Sequence, residues 1–242
     1  MDNKIQKELS SNGILRAAIN MSNFLLVTDK TKDGTPIGVS PDMAKELANK
    51  LNLQLKLIPY NTPGEIADTA ENNEWDICNI GAEPQRAEKI NFSAAYAEIQ
   101  ATYLIQPNSK LQNISDVDKI GNKIAVASRT AYGLWLERNI HNAELIQVEG
   151  VASSFDVFSN QNLDALAGLR PALIDDVKKI SGAKILEGQF MSVQQAVGTS
   201  IKNIHASLYI AEFVEEMKKT GFVQKLIKKH NVSGRLSVAN LS

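Results

Sequence analysis

The sequence predicts an α/β protein built of two similar lobes, and three observations carry that reading. Apolar runs alternate as strand, helix, strand, helix, strand between Leu15 and Ile80, an order that favours parallel strands joined by crossover helices. The same outline recurs once the chain passes Asn108. The length of 242 residues lies where one hydrophobic core gives way to two.

Leu15 to Ile19 reads as the first strand, and Met21 to Pro36 as a long loop ending in the turn chemistry of Asp33-Gly34-Thr35-Pro36. A loop of that length directly after a strand is usually functional. Ser40-Pro41-Asp42 predicts a helix start with Ser40 as N-cap, and Met43, Ala44, Leu47, Ala48 and Leu51 form its apolar stripe. Leu53, Leu55 and Leu57 alternate as a strand. Thr62-Pro63-Gly64-Glu65 offers a capping box, and Trp75 to Ile80 reads as the third strand.

In the second half, Lys123–Ala127, Ala143–Val148 and Leu163–Leu169 read as strands, with helices over Ala131–Ile140 and Ser154–Asn160. Phe190, Val193 and Val197 mark a further strand. A long helix follows, with an expected stripe of Leu208, Ala211, Val214 and Met217, closed by Thr220-Gly221. Phe222 to His230 is a last short helix.

Composition narrows the function. The 26 basic and 27 acidic residues nearly cancel, and no basic run exceeds a pair, so there is no footprint for nucleic acid or an anionic membrane. The lone Cys78 sits among apolar residues and cannot form an internal disulfide. The first eight residues hold no apolar core of a signal peptide, which leaves a cytoplasmic start and an export signal already removed both open. His141, His205 and His230 are scattered, so no metal is expected, and the sequence carries no G-x-S-x-G, P-loop or G-x-G-x-x-G. No cofactor and no catalytic residue are expected. The carboxylate pairs Asp175/Asp176 and Glu215/Glu216 lie beside lysines and read as solvated faces.

Arg86 stands apart. It follows an apolar strand, a glycine and a helix-starting proline in Ile80-Gly81-Ala82-Glu83-Pro84-Gln85-Arg86, which places its guanidinium at the carboxyl edge of a parallel sheet. Open α/β sheets bind ligands at that edge, and a guanidinium matches a carboxylate bidentately. A surface arginine paired with Glu83 or Glu88 is the alternative.

Asn73 to Tyr96 resembles the central signature of the polar amino-acid-binding proteins of bacterial ABC importers, the family 3 solute-binding type. In that family a W/F-D-hydrophobic strand leads through small residues to T-x-x-R and then to hydrophobic-x-F-S-x-P-Y. Gly34 to Leu51, Asn122 to Tyr132 and Leu163 to Pro171 are similar to further family segments. The resemblance implies a periplasmic-binding-protein-like fold of two α/β lobes joined by two crossing strands. Residues 1–100 with 195–242 would form lobe one and 101–194 lobe two, closing over a small carboxylate-bearing ligand.

It further implies a monomeric periplasmic protein that delivers its ligand to a membrane permease and is not an enzyme. A cyclohexadienyl dehydratase-like enzyme on the same fold is the alternative. Arg86 would hold the ligand carboxylate with Asn79 and Gly81 beside it. Thr130 would grip it from lobe two, and Asn20 to Phe24 would wall the ligand. Departures from the pattern are Glu83 for threonine, Ala95 for proline and Arg129 for glycine. Leu169 stands where the family places the acid that binds an α-ammonium. Either the ligand lacks that ammonium or Glu83 or Glu98 replaces the acid, while Arg129 and Arg170 would suit a second anionic group.

Overall fold

The computed structural model describes residues 3–10 and 12–241, so Met1 and Asp2 of the N-terminal segment lie outside it. The chain divides into two compact units. Unit one holds the chain up to Glu98 and again from Gln194, and unit two is Ile99–Val193. Unit one begins with α1 (Asn3–Leu9), β1 (Ile14–Asn20), β2 (Asp29–Lys30), β3 (Pro36–Ile37), α2 (Val39–Lys50) and β4 (Gln54–Tyr60). It continues with α3 (Pro63–Asp68), β5 (Ile77–Gly81), α4 (Pro84–Ala87) and β6 (Ile90–Phe92). Strand β7 (Ala97–Ile105) carries the chain into unit two, which contains β8 (Lys123–Ala127), α5 (Ala131–Asn139), β9 (Glu144–Val148), α6 (Val151–Asn160), β10 (Ala165–Leu169), α7 (Arg170–Asp176) and β11 (Lys184–Ile185). Strand β12 (Met191–Ser200) returns it, and α8 (Ile204–Lys219), α9 (Phe222–Lys229) and β13 (Ser237–Val238) complete unit one.

The sheet of unit one runs β4-β1-β5-β12. Strand β1 is parallel to β4 and β5, whereas β12 is antiparallel to β5. Asp76 sets the β1/β5 register: its carboxylate accepts the Arg16 backbone N–H at 2.7 Å, and its own N–H returns to the Arg16 carbonyl at 2.9 Å. The Arg16 guanidinium closes on the same carboxylate through Nε and Nη2. Beneath one face of β5, Cys78 and Ile80 pack with Ala18, Ile66, Ala70 and Trp75. The parallel arrangement brings the carboxyl ends of β1, β4 and β5 to one edge.

Two helix phases differ from expectation. Helix α2 begins at Val39 with Gly38 as N-cap, so Ser40 lies inside the first turn and does not cap it. Its hydroxyl is instead buried against the Tyr96 hydroxyl at 3.0 Å. Gly38 is required there because a Cβ would stand 2.2 Å from the Leu26 carbonyl oxygen. On α8 the buried positions include Ala206, Ile210, Phe213, Val214 and Met217, and Leu208 is exposed. The helix is rotated to the phase that seats Phe213, the largest apolar side chain of its buried face. Glu8 of α1 supplies the cap that Asn203 does not, accepting the Ala206 N–H at 2.7 Å. The Thr62 cap holds as expected, with the hydroxyl accepting the Glu65 N–H at 3.2 Å.

The sheet of unit two runs β11-β7-β10-β8-β9, with β10, β8 and β9 parallel. One core cluster includes Tyr103, Val126, Tyr132, Leu136 and Val193, and a second includes Leu104, Phe158, Leu166 and Leu173. The Asp175 and Asp176 carboxylates pair with Lys178 and Lys179 at 2.9 and 2.7 Å, while Lys218, the partner of Glu215, is buried.

Gly198 on β12 is the tightest of these sheet positions, since a Cβ would lie 2.5 Å from Ile90 Cγ2 and 3.0 Å from both Cys78 Sγ and Phe92 Cδ1. Gly198→Ala is expected to cost about 1–3 kcal/mol by overpacking. Urea unfolding measures this, and a midpoint equal to that of the unaltered protein would contradict the packing described.

Candidate functional site

The carboxyl edge of unit one gathers Asn20, Phe24, Gly81, Glu83 and Arg86 by topology alone. Asn20 ends β1, and its side-chain oxygen accepts the N–H of Ser22 at 3.1 Å and the Ser22 hydroxyl at 2.7 Å. The next turn is organised by Asn23, whose carbonyl accepts the N–H groups of Leu26 and Val27. Leu25 and Leu26 are thereby buried while Phe24 stays exposed, with the Arg235 guanidinium 5.1 Å from its ring centre.

Arg86 is 5% exposed, so it is a buried arginine and not a surface one. Its Nη1 donates to the Gly81 carbonyl at 2.8 Å, so the side chain folds back along the end of β5. A buried guanidinium needs hydrogen-bond and charge partners. Burial pushes the Cys78 thiol up to about 12, and the charge of Arg86 offsets part of that rise. Cys78 is therefore a packing residue and no nucleophile at neutral pH. Glu83, 4% exposed, caps α4 by accepting the Gln85 N–H at 3.0 Å, which places a buried carboxylate three residues from Arg86. Asn79 lies 1% exposed within β5, opposite Val197, and Gln195 lies 3% exposed opposite Gly81.

In unit two the carboxyl ends of β8 and β10 bring Arg129, Thr130, Leu169 and Arg170 to one edge. The Thr130 hydroxyl donates to the Ala127 carbonyl at 2.9 Å and accepts the Gly133 N–H at 3.0 Å, fixing the start of α5. A Cβ at position 133 would stand 2.9 Å from Thr130 Oγ1, so the T-x-x-G spacing is itself part of this cap. A helix N-terminus so fixed suits an anion. Leu169 is half-buried against the core cluster of Tyr103 and Val126. Arg170 is engaged locally: Nε donates to Gln100 Oε1 at 2.9 Å and Nη2 to the carbonyls of Leu186 and Gly188. Among the described residues no three His, Cys, Asp or Glu side chains converge as metal ligands. No helix there is long and apolar enough to cross a membrane.

Arg129 has φ 59°, and every other non-glycine residue described in that left-handed region is asparagine. A left-handed L-residue costs roughly 1–2 kcal/mol, so the loop between β8 and α5 carries local strain. Arg129→Gly is expected to leave stability unchanged or raise it by up to about 1 kcal/mol, and Arg129→Val to lower it by about 1 kcal/mol or more. Chemical denaturation distinguishes them; a clear loss with glycine would show that the side chain's contacts outweigh the strain.

Comparisons with known proteins bear on this arrangement. The profile of the bacterial extracellular solute-binding proteins, family 3, matches residues 15–233. The chain is 24% identical over 200 residues to the L-cystine-binding protein TcyJ of Escherichia coli, covering 81% of this chain and 75% of that protein. Among solved structures, a mutant of ArgBP from T. maritima superposes with TM-score 0.74 at 19% identity, over 95% of this chain and all of that one. AbpA from Streptococcus pneumoniae, bound to L-arginine, gives 0.74 at 17% identity over 93% and 97% of the two chains. The ancestral amino acid-binding protein AncCDT-1, described as a precursor of cyclohexadienyl dehydratase, gives 0.73 at 22% over 92% and 97%. The match of the family profile across nearly all of the sequence establishes that this chain belongs to the bacterial extracellular solute-binding proteins of family 3.

Proposed function

We propose that the protein captures an α-amino acid outside the cytoplasm, in the periplasm, and delivers it as a monomer to the permease of an ABC importer. The observation that carries this reading is the buried guanidinium of Arg86 at the carboxyl edge of unit one. Such a group binds a carboxylate with the desolvated, charge-assisted geometry that capture requires. Asn79, Gly81, Asn20 and Phe24 complete the unit-one contribution. Within unit two, the start of α5 fixed by Thr130 is that unit's own feature suited to an anionic group. The names of TcyJ and of the arginine-bound AbpA support an amino acid as the ligand class.

An α-ammonium needs an acid, and Leu169 offers none. Glu83 supports that role better than Glu98, because it is a buried carboxylate capping the short helix that carries Arg86. Arg170 we assign to bracing α7, since its hydrogen bonds lie within its own unit. Arg129 orients the loop before Thr130. Capture and release use no general acid or base, so the bound molecule leaves unchanged.

Calorimetry against the common amino acids and their α-hydroxy analogues tests the reading. Arg86→Ala is expected to weaken binding by roughly 3 kcal/mol or more, and Arg86→Lys by less, as for a desolvated charge pair that loses one partner. Glu83→Gln should weaken amino acids and spare hydroxy acids. Unchanged affinity in both Arg86 variants would remove this residue from the site, and conversion of prephenate or arogenate on incubation would replace capture with dehydration.

A further inference from the structure

Asn79 is the only polar side chain on β5, whose sequence is Ile-Cys-Asn-Ile-Gly. It is 1% exposed, and neither Nδ2 nor Oδ1 has a hydrogen-bond partner among the described residues. A buried amide without partners costs folding free energy, so an apolar residue would be the more stable choice here. Its sheet neighbours cannot relieve it. Asn79 lies beside Ile19 on β1 and opposite Val197 on β12, both apolar and buried.

Toward the carboxyl end of β5 the surroundings change. Side chains two residues apart share a face, as do directly opposed residues of paired strands. The next residue on the Asn79 face is therefore Gly81, which has no side chain, and opposite it stands Gln195, 3% exposed. The other face is filled by the cluster around Cys78 and Ile80. Two buried carboxamides thus share one face, with only a glycine beside them at the strand end. That glycine's carbonyl is the one held by Arg86.

We propose that Asn79 and Gln195 form an amide subsite that selects the side chain of the ligand. Each carboxamide both donates and accepts. A ligand carboxamide, as in glutamine or asparagine, matches that mixed character. A purely apolar side chain would leave the buried amides unpaired, and a protein site built for hydrogen bonding rejects such analogues strongly. Asn79 lies two strand residues, about 6.6 Å, from Gly81, while Gln195 stands directly opposite that glycine. The subsite rests on the amino-acid reading above and names the ligand class within it.

Titration calorimetry of the whole chain with glutamine, asparagine, leucine and methionine, paired with thermal unfolding without ligand, tests the subsite. The unaltered protein should prefer glutamine or asparagine over leucine by at least about tenfold. Asn79→Leu should raise the unfolding temperature of the free protein while collapsing that preference to within about threefold. A merely structural asparagine would lower stability when replaced and leave the preference intact. Asn79→Ala and Gln195→Leu should each reduce the preference, so the test does not depend on one variant folding. If amino acids bind without preference for the amides, or the variants keep it, the subsite is overturned and amino-acid capture stands. If no α-amino acid binds the unaltered chain, both readings fall.

Discussion

Burial on both faces of strand β5 is the constraint from which the rest of unit one follows. All five of its residues are buried, flanked by parallel β1 and antiparallel β12, and four of them are small or apolar while Asn79 is a polar side chain without a hydrogen-bond partner among the described residues. The strand is held in register by Asp76, which binds the backbone and the guanidinium of Arg16. With β5 fixed, its carboxyl end is fixed, and Gly81, Glu83 and Arg86 are positioned by a turn only a few residues long. Arg86 folds back to the Gly81 carbonyl, so the guanidinium that we propose as the ligand's carboxylate partner is ordered by the same strand. Rigid support of this kind reduces the entropy lost on binding.

Unit two reaches a comparable end by another route. Its parallel strands β8 and β10 finish at loops that bring Thr130 and Leu169 to one edge. The Thr130 hydroxyl is engaged by the backbone of its own loop, which fixes the start of α5. The left-handed Arg129 explains why glycine is the family's choice before this threonine: only glycine takes that conformation without strain.

The strand and helix order was legible because apolar periodicity reports burial directly, and β5 with Arg86 was legible because a charged residue after a strand, a glycine and a proline has few places to go. Other features were hidden by distance in the chain. Arg170 reads as a ligand candidate beside Pro171, yet its hydrogen bonds go to Gln100, Leu186 and Gly188. The cap on α8 comes from Glu8, almost two hundred residues earlier, and that tertiary contact accompanies the helix phase that exposes Leu208. Ser40 has the chemistry of an N-cap, but a buried hydrogen bond to Tyr96 claims its hydroxyl. The unpartnered amide of Asn79 has no sequence signature, since an asparagine between isoleucine and cysteine looks like any polar interruption of a strand.

The central claim is that the guanidinium of Arg86 receives the carboxylate of a captured amino acid. A crystal structure of the protein grown with the tightest-binding amino acid tests it most directly. The account predicts a ligand carboxylate oxygen within hydrogen-bonding distance of the Arg86 guanidinium, with the Gly81 contact retained. A bound amino acid whose carboxylate lies elsewhere, with Arg86 held only by protein groups, would contradict it.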